Sequence, residues 1–126
     1  MNPDIHQYFN DSNFLVSVFN TAIDGVIVID HRGRMLKLNE SASNLFRYTQ
    51  EELIGKNVNM LIPEPDHSKH DGYIQNYLQT GVKKIIGIGR EVTGLKKDGT
   101  LFPMRLAISQ IDVDGIIFFT GIVHDL

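Results

Sequence analysis

Two histidines, His67 and His70, lead an amphipathic run in the stretch EPDHSKHDGYIQNYL, residues 64–78. An imidazole can ligate a metal through one ring nitrogen or exchange a proton near neutral pH. Counting from His70, Tyr73 falls at i+3, Ile74 at i+4 and Tyr77 at i+7, so on a helix His70 belongs to the apolar stripe. A histidine there faces the interior and needs a partner for each ring nitrogen, or a metal for one of them. Two readings stay open from the residues alone: a core histidine bonded to a backbone carbonyl, and a metal ligand. His67 and His70 could share a divalent ion, but no third ligand stands at a clear spacing.

The stretch KKIIGIGREVTG, residues 83–94, is the second candidate. Gly87, Gly89 and Gly94 suggest a phosphate loop, yet the spacing G-x-G-x-x-x-x-G fails the dinucleotide fingerprint and the flanks read as strand. Glycine inside a strand marks a bulge or a close approach of something flat to the backbone; the plainer reading is a twisted strand packed tightly on a helix. Arg90 follows Ile86 and Ile88 at period two, which places it on their face, where a guanidinium wants an anion. Its other reading is a solvated arginine paired with Glu91 or Asp98. No nucleophile elbow and no Ser–His pairing appears, and Ser109 has no histidine at a suggestive position. The residues describe a binding module, not an enzyme.

The elements that position these residues read as α+β. Asp11 and Ser12 offer an N-cap to a flanking helix whose stripe is Leu15, Val18, Phe19 and Ala22. GVIVID (25–30) and MLKLN (35–39) flank the turn HRGR and form a hairpin. Ala42, Leu45 and Phe46 suggest a short helix, Thr49 to Glu52 matches a capping box, and Gly55 ends that second helix. Pro63 and Pro65 break the chain, and a helix over 66–80 stops at Gly81. Three strands follow, over 84–95, 100–111 and 116–124, with Asp98-Gly99 and Asp114-Gly115 as turns. In the second of these, Phe102, Met104, Leu106 and Ile108 share one face, and Pro103, Arg105 and Ser109 the other. Five mostly hairpin-linked strands make an antiparallel sheet, with the mid-chain helices covering one face.

Composition narrows the function classes. The 126 residues suit one domain, 13–126, behind an N-terminal extension, 1–12. A formal charge of −3, with basic residues spread along the chain, argues against a nucleic-acid partner. The absence of cysteine excludes disulfides, Cys-ligated zinc, thiol catalysis and a cysteinyl–flavin adduct. No apolar run approaches the roughly 18–20 residues of a membrane span, and MNPDIHQYF lacks a signal peptide's pattern, so a cytoplasmic location is expected. The stripe of Leu15, Val18 and Phe19 predicts a homodimer through the N-terminal helix.

The element order, with GVIVIDHRGRMLKLNESASNLFRYTQEELIGKNVNMLIPE, resembles a PAS domain over roughly residues 13–126. More narrowly, NVNMLIPEPDHSKHDGYIQNYL followed by IIGIGREVTGLKKDGTLFPMRLAIS is similar to the haem-binding PAS domain of FixL-type oxygen-sensing histidine kinases. That resemblance implies haem b as cofactor and a diatomic gas, oxygen first, as signal. Residue by residue it implies His70 as the proximal iron ligand, with Tyr73 and Ile74 lining that side. Arg90 matches the distal arginine that pairs with a propionate and turns to bound oxygen. Ile85, Leu106 and Ile108 match the apolar distal pocket. Ile85 and Arg90 differ in parity, so this geometry requires a bulge near Gly87–Gly89. Asn76 stands where the family has a propionate-binding arginine, and Lys84 where it has a propionate-binding histidine. The terminal VHDL resembles the motif after which PAS domains continue toward an output domain, here a histidine kinase or a cyclic-di-GMP enzyme such as a diguanylate cyclase. The rival readings are a PAS relay module without a ligand and one holding non-covalent flavin.

Overall fold

In a computed structural model of the chain, residues 12–63 and 90–126 are described. Helix α1, Ser12–Thr21, leads into strand β1, Gly25–Asp30. β1 turns into β2, Met35–Leu38, through a loop that Asp30 organises: its Oδ1 accepts from the amides of Arg32 and Arg34, both at 2.9 Å. A bulge between Val28 and Ile29 lets Ile27 oppose Leu38 and Ile29 oppose Met35, so all four side chains reach the core. The far edge of β2 is also engaged, since Met35 donates to the Lys56 carbonyl at 2.8 Å and accepts from Gly55 at 2.7 Å.

Short helices follow where local chemistry starts and stops them. Asn39 caps α2, Glu40–Phe46, by accepting from the Ala42 amide at 3.0 Å. Thr49 and Glu52 form the expected capping box of α3, Gln50–Leu53. A 3₁₀ turn, Val58–Leu61, ends this section. The helix expected over 66–80 lies outside the described residues, as does the first half of the strand expected over 84–95.

The remaining strands are β3, Arg90–Leu95, β4, Leu101–Val113, and β5, Ile116–Asp125. The turn between β4 and β5 has positive φ at both Asp114 (51°) and Gly115 (80°), the twist that matches a two-residue hairpin. All neighbours are antiparallel, in the order β2-β1-β5-β4-β3. The α+β architecture with a five-stranded antiparallel sheet therefore stands. The strand ends differ by a residue or two from expectation, and MLKLN stops at Leu38 because Asn39 is spent on capping.

α2 packs on β1, α3 on β2 and the 3₁₀ turn on β3, so short elements cover one face of the sheet. Phe102, Met104, Leu106 and Ile108 all point into that layer and are buried, as their alternation requires. Phe46 meets Phe102 edge-on, with ring centroids 5.5 Å apart. Gly94 makes room for this pair: a Cβ there would lie 2.6 Å from the Phe102 ring.

Candidate functional site

The register of the sheet places the site residues in rows. Across the inner face, Arg90 stands opposite Leu106, Leu106 opposite Val123, and Val123 opposite Gly25. Residues directly opposite in an antiparallel ladder share a face, so Arg90 leaves β3 on the side of Leu106. Its side chain is exposed, because β3 is the outermost described strand and Arg90 is its first residue. The next inner row is Ile108, Gly121, Ile27 and Leu38. Arg90, Leu106 and Ile108 thus lie on one face, which places Arg90 inward in register.

Between this face and the covering elements lies a cavity of about 40 Å³. Among the described residues its lining is apolar: Ile27, Ile29, Phe46, Val58, Leu61, Ile62, Met104, Leu106, Ile108, Phe119, Gly121 and Val123. The described lining offers water no polar partner, and the cavity has volume for a small diatomic molecule. No described lining side chain can give or take a proton. Among the described residues no group of three or more His, Asp or Glu could hold a metal ion.

Gly121 is the feature that reading the sequence missed. It lies mid-strand between Ile27 and Ile108, and a Cβ there would meet only Leu106 Cδ1 at 3.6 Å and the Ile27 carbonyl at 3.9 Å. The space is therefore open and is not demanded by a close neighbour. The signal was present as a glycine inside the strand FFTGIV, but alternation alone does not say that it borders a cavity.

Asn39 was also passed over, as the last residue of a strand. It is fully buried and makes four hydrogen bonds. Its Oδ1 accepts from Val26 N and Ala42 N, and its Nδ2 donates to the carbonyls of Phe19 and Asp24. One side chain thus fastens α1, β1 and α2 together.

His70, Tyr73, Ile74, Lys84 and Ile85 lie outside the described residues, as do Gly87 and Gly89. The described flanks of that segment nonetheless converge. Leu61 and Ile62 line the cavity, Arg90 pairs with cavity-lining Leu106, and the 3₁₀ turn packs against β3. Ile62 and Arg90, near the two ends of the described residues that flank that segment, thus both stand on the side of the same apolar face.

Comparison with known proteins fits this arrangement. The profile of the PAS fold family matches residues 13–126. The chain is similar to the sensor protein FixL of Bradyrhizobium diazoefficiens, 48% identical over 112 residues, which cover 89% of this chain and 22% of that protein. It is similar also to the oxygen sensor protein DosP of Escherichia coli, 32% identical over 101 residues, 80% of this chain and 13% of that protein. Among solved structures, the PAS domain of an HTR-like protein from Haloarcula marismortui superposes with a TM-score of 0.75 at 18% identity, over 96% of both chains. The chain thus spans about a fifth or less of the length of these two sensor proteins.

Proposed function

The chain belongs to the PAS family of sensory modules, and from that premise we propose that it binds haem b against the inner face of its sheet and senses a diatomic gas, oxygen first. The observation that supports this reading is a cavity whose described lining is apolar, with Arg90 in register on the same face of the sheet. A flat apolar group with charged edges wants such a face, with a cation at its rim. Gly121 leaves open the space that a side chain would otherwise fill. The similarity to a protein named an oxygen sensor points the same way.

In this reading His70 holds the iron, with Tyr73 and Ile74 beside it. Haem, when bound, supplies an iron with one position open to a gas. Leu106 and Ile108, with Ile85, keep that side apolar and exclude water. Arg90 and Lys84 offer cations to the carboxylates of the group, and Arg90 doubles as a hydrogen-bond donor toward a polar gas. Signalling follows from a shift of weight between two arrangements of Arg90, one bound to a carboxylate and one to the gas. The signal passes to a covalently linked output domain, a histidine kinase or a diguanylate cyclase. The module works in the cytoplasm as a homodimer; among the described residues, no helix is long and apolar enough to cross a membrane.

An absorption spectrum of protein purified from haem-supplemented cells, beside the His70→Ala variant, tests this. The expected outcome is a Soret band in the wild type that is lost or shifted in the variant. An identical Soret band in both overturns the ligand assignment. Flavin bands, or a colourless protein, overturn haem in favour of the flavin or relay reading.

A further inference from the structure

A second row runs across the sheet on the face opposite the cavity, one residue out of step with the row of Arg90. Glu91 stands opposite Arg105, and Arg105 opposite His124. Asp24, just before β1, continues the row beyond His124, and its Oδ1 lies 2.8 Å from His124 Nδ1. Arg105 reaches Glu91 at 3.8 Å. The row therefore reads acid, base, imidazole, acid across four neighbouring chain segments. Beside it runs an uncharged row, Ala107, Ile122 and Val26.

We propose that Glu91–Arg105–His124–Asp24 is a clasp that fixes the N-terminal helix to the C-terminal end of β5 and couples both to the strand that starts at Arg90. Asp24 and His124 are one hundred residues apart in sequence, so their contact joins the segment that follows α1 to the C-terminal end of β5. Asp24 is held twice, since its carbonyl also accepts from Asn39 Nδ2 at 3.0 Å. Other described ties of α1 and its end include Phe19 O to Asn39, Ala22 O to Ser41 Oγ, and the Phe19 ring under Lys37. Local opening of one element can respond to a single polar contact.

In the observed arrangement Glu91 engages Arg105 and Asp24 engages His124; the clasp supplies a second. When Glu91 turns away, Arg105 loses its anion and competes with His124 for Asp24. Because Glu91 is the residue next to Arg90, a shift in β3 reaches α1 through charges on the opposite face. The remaining charged neighbours, Lys96 and Asp125, border a cleft of about 450 Å³ beside Asp24 and His124. This inference does not depend on what the cavity binds.

The test is hydrogen exchange of α1 amides in the whole chain, read by mass spectrometry with and without added haem. Asp24→Asn and His124→Gln should each speed α1 exchange by about 2–5-fold, the scale of an exposed ion pair, while β4 and β5 keep their protection. The double variant should match either single change, because both remove one contact. Glu91→Gln should alter α1 exchange although it lies two strands away from His124, and 1 M salt should shrink that difference. Unchanged α1 exchange in Asp24→Asn and His124→Gln, or effects that simply add, overturns the clasp. Unchanged α1 exchange in Glu91→Gln overturns the coupling across the sheet. A missing Soret band changes none of these expectations, so failure of the haem reading is told apart from failure of this one.

Discussion

Arg90 stands directly opposite Leu106 across the β3–β4 ladder, so the exposed arginine and the leucine in the cavity wall leave the sheet on one face. The next residue, Glu91, faces the other way and meets Arg105. A single step along β3 thus separates a residue on the cavity's side of the sheet from one on the other side. Sensing and output need such a relationship, because a change on one face must be felt on the other.

If the chain binds haem as proposed, Arg90→Ala should leave haem incorporation largely intact and lower oxygen affinity by roughly 10- to 150-fold, the value of a charge-assisted bond worth about 1.5–3 kcal/mol. Carbon monoxide, which asks little of a donor, should be affected much less. Gas titrations of both proteins decide this, and equal losses for the two gases count against the distal role.

Gly121→Ala separates cavity from packing. The new methyl meets Leu106 Cδ1 at ordinary contact distance, so the fold accommodates it. A Gly→Ala change at a compatible backbone position raises stability by about 0.4–1 kcal/mol through the unfolded chain. The cavity, meanwhile, loses volume beside Leu106. A higher Tm with slower gas association is the expected pair of results; a lower Tm would mean that the space is not open.

Asn39→Ala should cost about 2–4 kcal/mol, combining a lost N-cap with buried amides and carbonyls left without partners. Asn39→Asp keeps the acceptor toward Val26 and Ala42 but loses both donations to the carbonyls of Phe19 and Asp24. It should therefore loosen α1 more than α2. Thermal melts measure the first variant, and exchange of α1 against α2 amides measures the second.

Asp30 predicts part of the acid limb of stability. Burial pushes its carboxyl up, but the Arg34 and Arg32 amides donated to it, with the nearby Arg34 and His31 charges, outweigh that and hold it below its ordinary value. A carboxylate depressed in the folded state contributes stability above its unfolded pKa of about 3.9, and that contribution is lost as pH falls through the lower folded value. Asp30→Asn should flatten the stability profile below about pH 4 and lower stability at neutral pH. A profile with unchanged acid slope would show that the loop does not depend on this charge.

The stripe on α1 divides in the fold. Phe19 lies under Lys37, its ring centroid 5.4 Å from Nζ, whereas Val18 is 53% exposed, near Val16, which is outside the stripe and 42% exposed. If the homodimer forms through this helix, Val16→Ser with Val18→Ser should shift sedimentation toward monomer without lowering Tm. A sedimentation profile that does not change removes α1 from the interface.

Much of the scaffold was legible from local chemistry. The alternation of Phe102, Met104, Leu106 and Ile108 fixed the inner face of β4 because a strand repeats every two residues. The Thr49–Glu52 capping box and the Asp114-Gly115 turn were readable because their partners lie within a few residues. The face of Arg90 was not: the glycine-bearing run before it left parity open, and only pairing with β4 assigns Arg90 to the side of Leu106. The same limit applies to Gly121, whose neighbours Ile27 and Leu106 arrive from two other strands. It applies also to Asn39, whose bonds reach back to Phe19, Asp24 and Val26, and to the Asp24–His124 contact. Sequence determines what short-range periodicity and capping can encode; long-range strand register, which depends on the whole sheet closing at once, decided which residues share the cavity and which share the clasp.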